Sequence, residues 1–197
     1  MGIKATLIKP LARRIVRQTA EMAADAPACQ TGIFQQLLRK GALTRFGKDH
    51  QLDRIRTYED FCQAVPVADY ERLKPYFEAV KSGEPDVMWP GKPLYLAKTS
   101  GTTSGTKYIP ITRDSLPNHF NTARNALFNY AHYAGDFSFF DGKMIFFSGS
   151  PELEYQHDIA VGRLSGIVNH QVPSWLQKNK LPSYDINCIG DWETKLS

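Results

Sequence analysis

The residues with the clearest chemical meaning lie between Thr99 and Lys107, within the stretch LYLAKTSGTTSGTKYIPIT. Eight of these nine residues are Thr, Ser or Gly, and the ninth is lysine. Holding a polyphosphate requires several backbone N–H groups turned towards one anion. That in turn needs glycines that reach positive φ or permit close approach. Hydroxyl side chains add donors without bulk, and a lysine adds a mobile positive charge. Thr99, Ser100, Thr102, Thr103, Ser104 and Thr106 supply the hydroxyls, Gly101 and Gly105 the backbone freedom, and Lys107 the charge. Composition alone equally fits a plain tether, because Ser/Thr/Gly stretches commonly serve as linkers. Two features favour a phosphate loop. The stretch joins two β-like runs inside one domain, where a long linker is uncommon, and Lys107 stands directly before an apolar strand. The spacing excludes two familiar loops: three residues rather than four separate Gly101 from Gly105, which is not a Walker loop, and no GxGxxG occurs.

The elements that must position this loop follow from periodicity and punctuation. Residues 6–25 carry Leu7, Ile8, Leu11, Ile15, Val16, Ala20 and Ala23 at helical spacing, and Pro27 ends that helix. A second helix places Ile33, Phe34, Leu37 and Leu38 on one side, with Gly41 as its C-cap. TYEDFCQAV opens with a capping box of Thr57 and Asp60, and Asp69 starts a helix that ends at Gly83 and kinks or breaks at Pro75. After the Pro- and Gly-rich EPDVMWPGKP the character changes. LYLAKT, KYIPIT and KMIFFSG read as strands, the third buried. Between the last two, a helix capped by Thr112 presents Phe120, Ala123, Leu127, Tyr130 and Ala131 as its apolar stripe. RLSGIVNHQVP suggests a further strand, SWLQKNKLP a short helix, and DWETKLS a helix opening at Asp191. The fold class is therefore α/β: a helical N-terminal segment, residues 1–90, followed by an α/β part, residues 91–197, with flanking helices. A helix that has just begun at the last residues suggests that the α/β part is incomplete.

Other chemistries find little support. The 197 residues carry a net charge of +4 without a long basic block, so a nucleic-acid partner is not expected. No apolar run is long enough to span a bilayer, and Lys4, Lys9 and Arg13 interrupt any leader-like apolar stretch. Cys29, Cys62 and Cys188 lack CxxC spacing, and His50, His119, His132, His157 and His170 lack HxH or HxxxH spacing, so no protein metal site is expected. Reduced thiols fit a cytoplasmic protein. FSGSPE at 147–152 lacks the GxSxG pattern and reads as turn chemistry. The aromatics Phe120, Phe128, Tyr130, Tyr133, Phe137, Phe139 and Phe140 read mainly as core packing.

TSGTTSGTK resembles the phosphate loop of the adenylate-forming superfamily, whose signature runs Thr-Ser-Gly-Thr-Thr-Gly-x-Pro-Lys. The first five positions and the closing lysine match at the same spacing. Ser-Gly-Thr stands where Gly-x-Pro is usual. That departure, the trailing YIPIT, the lead-in VPVADYERLKPYFEAVKSGEPDVMWPGKP, and GRLSGI and DWETKL further on resemble one branch, the auxin-responsive Gretchen Hagen family of acyl-acid amido synthetases in its microbial form. The resemblance runs from about residue 30 onward. It implies part of the large domain of such an enzyme, with ATP and Mg²⁺ as cofactors, and with a small-molecule carboxylic acid and an amine such as an amino acid as partners. The carboxylate would attack the α-phosphorus of ATP, release pyrophosphate, and pass its acyl group to the amine. Ser100, Gly101, Thr102, Thr103, Ser104 and Gly105 would contact phosphate and Lys107 would offset its charge, with Thr99 and Thr106 completing the loop. The family's adenine- and ribose-binding motifs lie downstream of Ser197, so the residues present are expected to be inactive alone. Two other readings stay open: a non-catalytic anion- or nucleotide-binding module, and an adenylating enzyme with a thiol acceptor. The acyl substrate and oligomeric state are not legible.

Overall fold

The computed structural model describes residues 2–99, 105–146 and 148–196. They group into two compact units: residues 1–24, 114–153 and 162–197 form one, and residues 25–113 with 154–161 form the other. The units interleave along the chain, and none of their boundaries falls at the composition shift near residue 90.

The second unit carries the loop. It begins with α2 (Ala26–Gly41), preceded in the chain by α1 (Ile3–Ala24) of the other unit. Pro27 does separate these helices, but as a first-turn residue of α2, where its missing N–H costs nothing; Asp25 caps the turn. Gly41 is the last helical residue rather than the cap, and the helix closes on Ala42. Then come α3 (Arg45–Asp49), a 3-10 turn at Leu52–Arg54, and α4 (Tyr58–Ala64). The capping box forms as expected. Thr57 Oγ1 accepts the Asp60 N–H at 3.1 Å, and Asp60 Oδ2 accepts the N–H groups of Thr57 and Arg56 at 2.9 and 3.0 Å.

These backbone donors hold the Asp60 carboxyl below its usual range, the Thr57 N–H first among them. A carboxyl whose folded pKa is lowered contributes stability above its unfolded value of about 4 and loses it as pH falls through the folded value. Thr57→Ala is expected to cost about 1 kcal/mol. The melting-temperature gap between wild type and Asp60→Asn should be present at neutral pH and close in acid below about pH 4.

Asp69 starts α5 (Tyr70–Lys81) by accepting the Arg72 N–H at 2.9 Å, and Gly83 at φ +88° lies just beyond its end. The helix runs unbroken through Pro75, so of the kink or break expected there the break does not occur. Strands β1 (Tyr95–Lys98) and β2 (Tyr108–Ile111) form an antiparallel hairpin in which Lys98 faces Tyr108. With β4 (Glu154–Gln156) and β5 (Ile159–Arg163) they make a sheet of order β2-β1-β5-β4. Its core gathers Ala79 and Val80 of α5 with Val87, Leu96, Ile159 and Val161. A satellite cluster of Leu38, Leu52 and Ile55 lies beneath α2.

The first unit is built on α1 against α6 (Leu116–Ala134). Ala5, Ile8, Ala12 and Ile15 meet Phe128, Ala131, Phe137 and Phe140, and the rings of Phe128 and Phe140 cross edge-to-face at 5.7 Å. The buried faces share Ile8, Ile15, Val16 and Ala131 with the expected stripes and differ in the rest. On α1, Leu7 is 71% exposed and Leu11 is also exposed; on α6, Leu127 and Tyr130 face outward and Phe128 is buried instead. The helix also starts later than expected, at Leu116 with Ser115 as its flanking residue and Pro117 in the first turn, rather than from a Thr112 cap.

KMIFFSG contributes only the two-residue β3 (Met144–Ile145), paired in parallel with β6 (Lys180–Leu181). Ile145 is 69% exposed, so this strand is not the buried one expected: a two-residue pairing covers little of either face. RLSGIVN forms α7 (Leu164–Asn169) directly after β5, so a helix stands where a strand was expected. The short helices α8 (Ser174–Gln177), α9 (Tyr184–Cys188) and α10 (Trp192–Leu196) complete the unit. Asp191 opens the last by accepting the Thr194 N–H at 2.7 Å.

Candidate active site

The nine-residue stretch is the loop of the β1–β2 hairpin. Ser100, Gly101, Thr102, Thr103 and Ser104 lie outside the described residues; Thr99, Gly105, Thr106 and Lys107 form its mouth. Two hydrogen bonds close the mouth. The Thr99 N–H donates to the Lys107 carbonyl at 3.0 Å, and the Lys107 N–H donates to Thr99 Oγ1 at 3.3 Å. The threonine hydroxyl thus prolongs the strand ladder by one step, and the two ends of the stretch are fixed as neighbours. A tether would need no such closure.

Gly105 adopts φ +82°, a conformation that L side chains rarely reach, and among the described residues no atom outside its chain neighbours lies within 4 Å of where a Cβ would stand. The requirement there is conformational rather than steric, as expected of a backbone turned to present N–H groups. Thr106 is exposed and Lys107 half-buried.

Electrostatics single out Lys107 among the lysines of the hairpin and of α5 beside it. Lys98 reaches Glu154 at 2.7 Å, and Lys81 lies 3.6 Å from Glu78 with its ammonium 4.6 Å from the Tyr108 ring. Lys107 pairs with no carboxylate among the described residues; its ammonium stands 5.1 Å from the ring centre of Tyr70. Tyr70 also accepts the Tyr108 N–H on its hydroxyl at 3.2 Å and stacks on Phe77 at 4.7 Å.

Tyr70, Phe77 and Lys81 were absent from the sequence-derived site. The available signal was modest: Tyr70 follows the Asp69 cap, and a tyrosine and a phenylalanine seven residues apart share one helix face.

The remaining candidates stay apart from chemistry. Ser150 Oγ accepts the Glu152 N–H at 3.2 Å, a local turn, and the buried Ser148 hydroxyl lies 3.4 Å from Asn187 Oδ1. His170 Nε2 donates to the Pro151 carbonyl at 2.6 Å. Among the described residues no three His, Cys, Asp or Glu side chains gather as a metal site, and no helix is long and apolar enough to cross a membrane.

Residues 15–196 match the GH3 family N-terminal domain. The chain belongs to the GH3 family. Among curated relatives, it is similar to the "Probable indole-3-acetic acid-amido synthetase GH3.13" of Oryza sativa subsp. japonica, at 30% identity over 114 residues, 56% of this chain and 23% of that protein. It is also similar to the "Indole-3-acetic acid-amido synthetase GH3.15" of Arabidopsis thaliana, at 27% identity over 101 residues, 49% of this chain and 16% of that protein. The solved "GH3.15 acyl acid amido synthetase" superposes with a TM-score of 0.72 at 19% identity, covering 89% of this chain and 31% of that one. A second structure, "AtGH3.15 acyl acid amido synthetase in complex with 2,4-DB", matches with the same score. The GH3 chain therefore has the mixed α/β fold of these structures, and it spans under a quarter of the curated relatives and about a third of the solved ones.

Proposed function

We propose that the chain is the N-terminal part of an ATP-dependent acyl-acid amido synthetase, in which the 99–107 hairpin loop holds the phosphates of ATP. The observation that carries the reading is the closed mouth, with Thr99 and Lys107 bonded across it and a lysine head that no described carboxylate neutralises. The names of the relatives support the reaction class, carboxylic acid to amide.

In this reading ATP supplies an electrophilic phosphorus and a pyrophosphate leaving group. The carboxylate oxygen bonds to the α-phosphorus as the P–O bond to pyrophosphate breaks, and an amine then displaces AMP from the acyl carbon. The chain's own residues form no covalent bond to substrate. Gly105 and its neighbours orient the β- and γ-phosphates, and the Lys107 ammonium stabilises the charge that grows on the departing pyrophosphate. The mouth offers hydroxyls and a lysine rather than carboxylates, so Mg²⁺ fits here as an ion held by phosphate oxygens, with Thr hydroxyls as the chain's contribution. The α/β part from residue 91 bears this chemistry, and the helical segment before it braces the hairpin through α5. Three free cysteines fit a reducing cytoplasmic setting.

ATP–pyrophosphate exchange across a panel of carboxylic acids tests the reading. The full-length protein is expected to exchange label with at least one acid and then release AMP on addition of amino acids, whereas the 197 residues alone bind ATP without exchange. Exchange followed by transfer only to a thiol would overturn the amide assignment. Binding without exchange in the full-length protein would leave a nucleotide-binding module.

A further inference from the structure

We infer that Tyr70 is the residue that positions Lys107 for a polyphosphate, setting affinity through the lysine rather than by touching the ligand. The inference rests on the phosphate-holding reading of the loop.

Tyr70 acts on both ends of Lys107. Its hydroxyl accepts the N–H of Tyr108, the peptide that leaves Lys107, at 3.2 Å. Since β2 is the edge strand of the sheet, this N–H has no ladder partner, and the phenol anchors the strand at the point where the loop returns. The ring of the same residue lies 5.1 Å from the ammonium. One side chain thus fixes where the lysine backbone leaves the loop and where its head comes to rest.

Tyr70 is itself held firmly. It is the first residue of α5, set by the Asp69 cap, and its ring stacks on Phe77 with 14° between the planes.

The choice of an aromatic face has a chemical consequence. A carboxylate would position the ammonium equally well, but it would compete with phosphate and cancel the charge the ligand needs. Lys98 is held in that way, by Glu154. The quadrupole of a tyrosine ring localises a cation and leaves its charge available to an incoming anion. The hairpin therefore separates its lysines by role: Lys98 is structural, and Lys107 is held without being neutralised.

The test uses inorganic tripolyphosphate, a probe for the loop without adenine, titrated calorimetrically into the full-length protein and its variants. Lys107→Ala is expected to weaken binding about ten-fold or more. Tyr70→Leu should weaken it about five-fold, and Tyr70→Phe, which keeps the ring, should stay within about two-fold of wild type. In the Lys107→Ala background Tyr70→Leu should bring little further loss, because its effect passes through the lysine. In the exchange reaction Tyr70→Leu should raise the KM for ATP and leave the KM for the carboxylic acid unchanged, a split that a merely structural brace would not give. Additive losses, or Tyr70→Leu binding like wild type while Lys107→Ala does not, overturn the role of Tyr70 and leave the loop reading standing. A Lys107→Ala variant that binds like wild type overturns both. Should Tyr70→Leu unfold, the wild-type NMR spectrum decides: the Lys107 ε-methylene protons should lie upfield of the other lysines under the tyrosine ring and move on adding tripolyphosphate. Their absence from that region sinks the inference.

Discussion

Gly47→Ala is expected to destabilise the loop-bearing unit by about 3–5 kcal/mol, enough to remove most of the stability of an ordinary domain. A Cβ on Gly47 would stand 1.9 Å from the Gly41 carbonyl oxygen and within 3 Å of two further backbone atoms, so no rotamer change can relieve it. α3 would have to move as a body, yet it is pinned from several sides. The fully buried Thr44 hydroxyl donates to the Gly41 carbonyl at 2.7 Å and accepts the Gly47 N–H at 3.0 Å. The N–H groups of Arg45 and Phe46 donate to Asp86 and Val87 at 2.8 and 2.9 Å. Displacing the helix breaks the cap and leaves buried donors and acceptors unpaired, each costing about 1–3 kcal/mol. The control is Gly32→Ala in the exposed interior of α2, where among the described residues nothing beyond the helix's own backbone lies within 4 Å of the new methyl. That change should stabilise by about 0.5–1 kcal/mol, since alanine loses less backbone entropy in a helix. Chemical denaturation of the two variants should show opposite signs. Equal effects would mean that α3 is not held where the structure puts it.

The same contrast shows which features a sequence discloses. Caps are local, and the acidic and hydroxyl N-caps of α4, α5 and α10 were legible: Thr57 with Asp60, Asp69 and Asp191 each accept the N–H that their position in the sequence implies, whereas the Gly41 and Thr112 caps fall one and three residues short of the observed flanking residues. The two strands that flank the loop were legible too, since LYLAK and KYIPI are short apolar runs on either side of a polar stretch, whereas the bonds between Thr99 and Lys107 that close its mouth follow only from the register of the pair. The helix faces were legible only in part: Ile8, Ile15, Val16 and Ala131 are buried as expected, but the stripes also took in the neighbouring row. In α1 the contact line is Ala5, Ile8, Ala12 and Ile15, and in α6 it includes Ala131. Small residues mark a close helix–helix approach, but a reading weighted by apolar bulk selects Leu7, Leu11, Leu127 and Tyr130, which lie outside that contact. Periodicity reports that a helix is amphipathic, whereas the partner decides which of two adjacent rows is covered. The unexpected α7 has a similar origin, since a short run such as LSGIVN fits strand or helix until its neighbours select one. Tyr70 escaped notice for a third reason. Its work depends on an edge strand that returns to it 38 residues later, and no local pattern encodes that meeting.

The second large effect follows from the proposed adenylating reaction and is read on the full-length protein. Lys107→Ala is expected to lower kcat/KM for ATP in pyrophosphate exchange by about 10²–10³-fold, the range seen when one preorganised charge-stabilising group is removed. The loss should fall on ATP and spare the KM of the carboxylic acid, because the lysine lies at the mouth of the loop proposed to hold the phosphates. Lys107→Arg should recover only part of the rate. It restores charge, but the planar guanidinium is broader and longer than the ammonium that the Tyr70 ring receives at 5.1 Å. Salt supplies an independent check. Lys107 is half-buried rather than enclosed, so raising ionic strength from about 0.05 to 0.5 M should screen its attraction for phosphate. Wild-type ATP affinity should fall more steeply with salt than that of Lys107→Ala, narrowing the gap between them. Parallel salt dependences, or a Lys107→Ala enzyme within two-fold of wild type, would place the phosphates elsewhere and reduce the hairpin to a structural turn.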